Sequence, residues 1–511
     1  MANAIPTTHN GIPLLPRPQG ADDPLRWPKS IKLAALFASA MTNFTANFAA
    51  SGLSVAQTII EAQFNKTANE FNTLMTLNFL LLGIGNLFWV PFAVKFGKRA
   101  SLITSTTLLL AVLLWSANAT TFNQLLAARC ISGFASAAGE SIVPGVVSDI
   151  FFLHERAGKM SFFTILIAGA SAVGPLVASF IVQYSPGTWV DYMWVCVALA
   201  AFNVVLLIFA LPESNYHREK PEAADNGVET QDIEIREPKS QAGSTDAEKV
   251  DSVEVQEDEN PIVVHKPWSS IWPTFITLNK SQGSFLHACL RQLTHALYPD
   301  VLFAIFVYGS SLASQIILIF AFPSLLLAPP YLFQPTGVGL MQVAAIIGLL
   351  IATFLGGYLV DVMTQRIVVR HRGEVFPEQR LLTIIPGCLV APVGCILAAF
   401  ACGQKMHWAV IAVAFGMVSF GTVYTPNIAA TFVVEGHPDH AEEALVAINV
   451  FKNLVAFLFL YTAVDWIQSQ GWIQVYMIMF MLVSLSMLAA IPLYLFRKPL
   501  RSYRSKIDKL L

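Results

Sequence analysis

Arg129 and Glu140 stand eleven residues apart in a stretch that is otherwise apolar or small. Eleven residues is close to three helical turns, so both side chains fall on one face, with Ser132 and Ser136 at the positions between them. A charge within hydrocarbon is costly, so each must meet a countercharge, carbonyls, water or an anion, and each is a candidate for function. A carboxyl group so placed can take up and release protons, and a guanidinium can tune that exchange. Lys452, beside Asn449 and Asn453, is a third buried-charge candidate.

Polar stripes recur elsewhere: Ser39, Asn43, Asn47 and Ser51; Tyr308, Ser311 and Gln315; Tyr424 and Asn427. Any one Ser, Asn or Gln is accounted for by a hydrogen bond between helices. Together the stripes outline a polar cavity, with Asn43, Asn47, Ser136, Tyr308, Gln315, Tyr424, Asn427 and Lys452 as its expected contacts with cargo. No nucleophile with its base, metal cluster or phosphate-binding glycine loop stands out, and the six cysteines show neither CxxC nor ligand spacing. Catalytic residues, metals and cofactors are therefore not expected, and enzyme chemistry is disfavoured.

The elements that must position these groups are membrane helices. Of 511 residues 55% are hydrophobic and 13% charged, where a soluble chain carries roughly a quarter charged. Mean hydropathy is +0.58. Crossing a hydrocarbon layer takes about 20 apolar residues, and such runs occupy 31–55, 71–94, 100–117, 122–147, 160–183 and 189–211, then 299–327, 338–360, 381–401, 407–434, 441–464 and 472–496. These predict an all-α membrane protein of twelve spans: a tail (1–30), a six-helix bundle (31–211), a linker (212–298), a second bundle (299–496) and a tail (497–511). The polar stripes fall in spans 1, 4, 7 and 10, while spans 3, 6, 9 and 12 read as the lipid-facing ring.

Lysines and arginines sort the loops. Lys95, Lys98, Arg99, Arg156, Lys159, Arg366, Arg370, Arg372 and Arg380 fall on the side of both termini, against Lys66 and Lys405 opposite. Both ends and the linker are thus expected in the cytoplasm. The net charge of -2 averages basic loops against an acidic linker with runs such as Glu254, Glu257, Asp258 and Glu259, which cannot bury enough apolar surface to fold. Past it, Trp268, Ile271, Trp272 and Phe275, then Phe285, Leu286, Leu290 and Leu293, read as helices lying on the membrane surface.

Several motifs, in order along nearly the whole chain, resemble the major facilitator superfamily, and within it the fungal twelve-span drug:proton antiporters. They are DPLRWP (23–28), GKR (97–99), AARCISGFASAAGES around Arg129, DIFFLHERAGK (149–159), LPES (211–214) and RGEVFPEQRL (372–381). The resemblance implies the fold of that family and a charged latch in the loop after span 2, where Gly97, Lys98 and Arg99 match but Val94 stands for the usual aspartate. In the copy after span 8, Gly357, Asp361 and Arg366 match; Asp149, Glu155 and Arg156 look like a further part of the network. Arg129 with Gly133 matches a motif associated with proton coupling, and Gly174 with Pro175 matches the core of the antiporter motif, although Ala170, Ala178 and Ser179 stand where glycines are usual.

The resemblance implies a monomeric, proton-coupled carrier in the cell membrane that exports a metabolite or drug by alternating access. Its partners are then a small molecule, protons and the bilayer, with no nucleic acid. Proton-coupled uptake of a nutrient, polyamine or organic acid is the alternative, and a transporter-like nutrient sensor a further one. Arg129 and Lys452 against Glu140 leave a positive balance inside the spans, which points to neutral or anionic cargo rather than polyamines.

Overall fold

The computed structural model describes residues 23–216, 285–370, 377–437 and 440–496, with 8–9, 12–13 and 18 of the N-terminal tail. The acidic runs of the linker, the expected surface helix around Trp268 to Phe275 and the tail from 497 lie outside the described residues. Apart from a two-residue pairing of Thr8–His9 with Ile12–Pro13, the described chain is helices and their connections.

The chain enters through a turn at Pro24–Arg26, where Asp23 Oδ1 accepts from the Leu25 N–H at 3.0 Å. Span 1 is Lys29–Gly52. Span 2, Ala68–Phe96, starts on a capping box of Thr67 and Glu70 that satisfies two otherwise unbonded backbone donors. Gly97 alone separates it from span 3, Lys98–Ala117, at φ 100° and ψ 150°, a turn whose positive φ favours glycine. Span 4 is Phe122–Ile150, span 5 Leu153–Tyr184 and span 6 Trp189–Ala210.

A short helix, Phe285–Thr294, and a turn, His295–Leu297, lead into span 7, Pro299–Leu327. Span 8 joins Pro335–Leu340 to Gln342–Arg370, span 9 is Ile385–Gly403 and span 10 Trp408–Gly436. The last helix, Ala441–Leu488, has 48 residues, about 70 Å at 1.5 Å per residue and far more than one crossing needs. Gly471, at φ 80° and ψ 166°, breaks it into spans 11 and 12.

Among the described residues ten helices are long and apolar enough to cross a membrane. Dividing the last at Gly471, and adding span 1, whose Ser39, Thr42, Asn43, Thr45, Asn47 and Ser51 lower its hydropathy, brings the twelve the sequence leads one to expect.

The halves repeat one packing plan. Span 1 packs on 5 and 6, span 2 on 4, and span 3 on 4 and 6; six spans later, 7 packs on 11 and 12, 8 on 10, and 9 on 10 and 12. Among the described residues the halves meet most extensively where span 2 packs on 11 and span 5 on 8. Along their most apolar stretches spans 4, 7 and 10 are 61, 78 and 61% buried against 33% for span 6, so they are inner helices and it faces lipid. Span 3, expected in the lipid-facing ring, departs from that reading at 61%, because it is wedged between spans 4 and 6.

Candidate functional site

Glu140 and Lys452, 312 positions apart, form an ion pair inside the bundle, Lys452 Nζ lying 2.5 Å from Glu140 Oε1. The other carboxylate oxygen accepts from Asn86 Nδ2 of span 2 at 3.0 Å and Asn453 Nδ2 of span 11 at 2.9 Å. Two donors thus come from the second half and one from the first. The Lys452 ammonium also sits 4.0 Å from the centre of the Tyr308 ring of span 7, a cation–π contact within its own half. Gly83 lets spans 2 and 11 approach here: a Cβ on it would come 3.3 Å from the Val450 carbonyl oxygen.

Arg129 has different company. Its guanidinium, 1% exposed, donates to the carbonyls of Ala49 at 3.1 Å and Ala50 at 2.7 Å, and touches Met75 Sδ at 3.4 Å. Ala49 and Ala50 lie in the last turn of span 1, just before the 3-10 turn Leu53–Ala56. Arg129 therefore braces the end of span 1. Its own backbone carbonyl and Ser132 Oγ both accept from Asn78 Nδ2 of span 2, and a Cβ on Gly133 would come within 2.2 Å of the Asn78 carbonyl oxygen. Arg129 and Gly133 thus knot spans 1, 2 and 4 together.

These contacts correct two expectations. The shared stripe suggested Arg129 acting on Glu140, but the guanidinium is turned to span 1 and the carboxylate to span 11. The positive balance does not reach the cavity either, since Arg129 is sealed under backbone carbonyls and Lys452 is offset by Glu140. Sequence spacing fixes the face of a helix, not which neighbour stands against it.

Other expected cargo contacts divide. Asn43 is buried where span 1 crosses span 4, its Oδ1 3.2 Å from where a Cβ on Gly139 would lie, and Asn47 Nδ2 donates to the Asn43 carbonyl at 3.0 Å. Ser136 Oγ donates to the Ser132 carbonyl at 2.7 Å. Gln315 Nε2 donates to Ser419 Oγ at 3.2 Å, joining spans 7 and 10. Tyr424 is not free for cargo: it stacks on Phe420, and its hydroxyl donates to the Thr383 carbonyl at 2.9 Å, tying span 10 to the turn Pro377–Ile384. Asn427 is half-buried one turn further along span 10, its carbonyl accepting from Thr431 Oγ at 2.8 Å.

At the face bearing Lys98, Arg99 and Arg156, which we call the basic face, Lys98 Nζ lies 2.8 Å from Asp149 and 3.4 Å from Glu442 of the second half. Lys98 therefore links the halves although Val94 replaces the usual aspartate. Arg99 donates to the Ile208 carbonyl, and Arg156 to those of Phe151 and Ser148, closing the end of span 4. Glu155 is half-buried in the first turn of span 5. Both oxygens of Glu213 accept the backbone N–H groups of Lys98 and Arg99, at 3.0 and 3.2 Å, placing a carboxylate on the positive end of span 3.

In span 5, a Cβ on Gly174 would meet the Phe48 carbonyl oxygen at 2.6 Å, and Pro175 follows within the helix, so this pair sets the crossing with span 1. A Cβ on Gly357 would meet nothing within 4 Å, and the side chains of Asp361 and Arg366 lie outside the described residues.

Sequence reasoning missed Asn86, Glu213 and Glu442. Asn86 is a polar residue in the apolar run LLLGIGNLFWV, and that alone could have marked it. Glu213 was within reach as the acidic residue of LPES. Nothing in the order of residues pairs Glu442 with Lys98.

A paired charge buried between two six-span halves, with polar side chains on the inner helices, defines a multi-pass membrane transporter. The chain belongs to the Major Facilitator Superfamily, whose family profile matches residues 35–460. It is similar to an uncharacterized MFS-type transporter of Schizosaccharomyces pombe, 23% identical over 97% of this chain and 89% of that one. Protein HOL1 of Saccharomyces cerevisiae is 24% identical over 98% and 92%, and the MFS antiporter QDR3 of Candida albicans 21% over 87% and 74%.

Proposed function

We propose that this transporter is a proton-coupled exporter, residing in the cell membrane as a monomer with both termini in the cytoplasm, that exchanges protons for a small neutral metabolite or drug. The observation that carries the reading is the Glu140 and Lys452 pair, which bonds one half to the other between the Lys98 and Glu442 contact at the basic face and the Asn72 to Leu460 hydrogen bond further out. Opening toward the basic face must break it; opening toward the opposite face need not. A proton arriving on Glu140 from outside cancels the attraction and lets the basic face part. Its release to the cytoplasm restores the pair, closes that face and sends the cargo outward. The antiporter among the relatives supports exchange.

Electrostatics narrow the cargo. Protonating Glu140 leaves the Lys452 charge without its carboxylate, which repels cations and attracts anions. A neutral compound is compatible with exchange. An organic anion would instead enter with the proton, and this favours proton-coupled uptake of an organic acid as the second reading.

Inside-out vesicles holding an acid interior and a pH-sensitive dye test the proposal, challenged with extract fractions from cells lacking the gene. A compound those cells retain should discharge the gradient, and Glu140→Gln should abolish the discharge. Equal discharge by Glu140→Gln removes Glu140 as carrier, and a compound that mutant cells fail to take up reverses the direction.

A further inference from the structure

At the basic face, away from the central pair, three side chains from two segments of the second half, far apart in sequence, converge. His295 lies in the turn His295–Leu297 ahead of span 7, His440 immediately before span 11, and Glu443 in the first turn of span 11. One ligand atom from each lies within 4.8 Å of the others. His295 Nε2 is 3.3 Å and His440 Nδ1 3.5 Å from the same oxygen, Glu443 Oε2.

The orientation of His295 narrows what belongs between them. Its Nδ1 lies 3.2 Å from the Arg291 carbonyl, which can only accept, so Nδ1 carries the proton. In the neutral ring the Nε2 lone pair then faces a carboxylate oxygen, acceptor against acceptor. The side chain is 3% exposed. A ring nitrogen whose other N–H is fixed on a carbonyl is the usual setting of a metal-bound histidine. Arg291 bonds Glu443 through the second oxygen, Oε1, and reaches Oε2 from 3.4 Å, holding the carboxylate in place.

We propose that His295, His440 and Glu443 form a site for a divalent transition-metal ion of the zinc type. Two imidazoles and one carboxylate suit zinc, whereas magnesium and calcium seek oxygen ligands alone. Three protein ligands leave a coordination position to water, which suits an exchangeable ion. The ion would clip the turn before span 7 to the start of span 11. Glu443 adjoins Glu442, the partner of Lys98 in the first half, so the clip would lie beside the contact between the halves at the basic face.

The test uses the full chain in detergent, purified without a polyhistidine tag and titrated with zinc chloride against a chromophoric chelator. The expected result is a saturable site that raises the unfolding temperature and that millimolar magnesium does not fill. Loss of an outer-shell partner alone costs about 10–100-fold in metal affinity, so H440Q and H295Q, each losing a ligand, should weaken binding at least that much. His440 is 46% exposed, so H440Q keeps the test valid even if H295Q misfolds. Absence of saturable zinc binding, or equal affinity in H440Q, overturns the proposal.

Discussion

Arg129 and Lys452 are both buried cations on inner faces of the bundle, yet their surroundings differ in kind. Arg129 is compensated by carbonyls at the end of span 1, within its own half, so its contacts can persist whichever way the halves lean. Lys452 is compensated by a carboxylate of the opposite half, so its contact depends on how the halves stand. The first arrangement holds a bundle together; the second registers the bundles' relative position. A charge in a membrane helix marks function by default, and the partner decides which function.

The largest expected effect tests the first member of the comparison. Arg129→Ala leaves the Ala49 and Ala50 carbonyls buried without their donor, at about 1–3 kcal/mol each, and should sharply lower the yield of monodisperse protein and its unfolding temperature. An Arg129→Ala protein of normal stability that loses proton coupling alone would erase the distinction drawn here.

Glu140→Gln should do the reverse, keeping most of the stability while transport becomes insensitive to an imposed pH gradient, as measured in vesicles. A double-mutant cycle then sharpens the contrast. Glu140→Gln with Lys452→Met should show a coupling energy of about 0.5–3 kcal/mol in thermal unfolding, whereas Arg129→Lys with Glu140→Gln should be additive, because the two side chains share no partner. The smallest effect is expected at the rim. Glu442 is 53% exposed, so Glu442→Gln should cost no more than about 1 kcal/mol and change transport only a few-fold, read as a raised rate of opening in a crosslinking assay across spans 3 and 11.

These contrasts also show what was legible in advance. Apolar runs fixed the number and order of the spans, because hydrocarbon thickness sets a length that sequence must meet. Arg129, Glu140 and Lys452 stood out because charge is rare in such runs. Their partners did not, because the pairing of residue 140 with 452 depends on how two bundles meet, and helical periodicity carries no information across that gap. Tyr424 shows the same limit: its place on a polar face was readable, but not that a neighbouring turn would offer it the Thr383 carbonyl. The Gly471 break needed only one backbone angle, yet 472 as the start of span 12 was already marked by the change from polar to apolar residues.

The Tyr308 ring beneath Lys452 gives the ion pair a second consequence. When the carboxylate is neutralised, the ammonium need not be stranded in an apolar gap, because it already rests on an aromatic face that travels with it. The arrangement resembles a bolt that withdraws into its own door rather than hanging in the opening. What would otherwise be the steepest part of the passage, an exposed charge midway between two frames, is thereby flattened, and the halves can part as soon as a proton arrives.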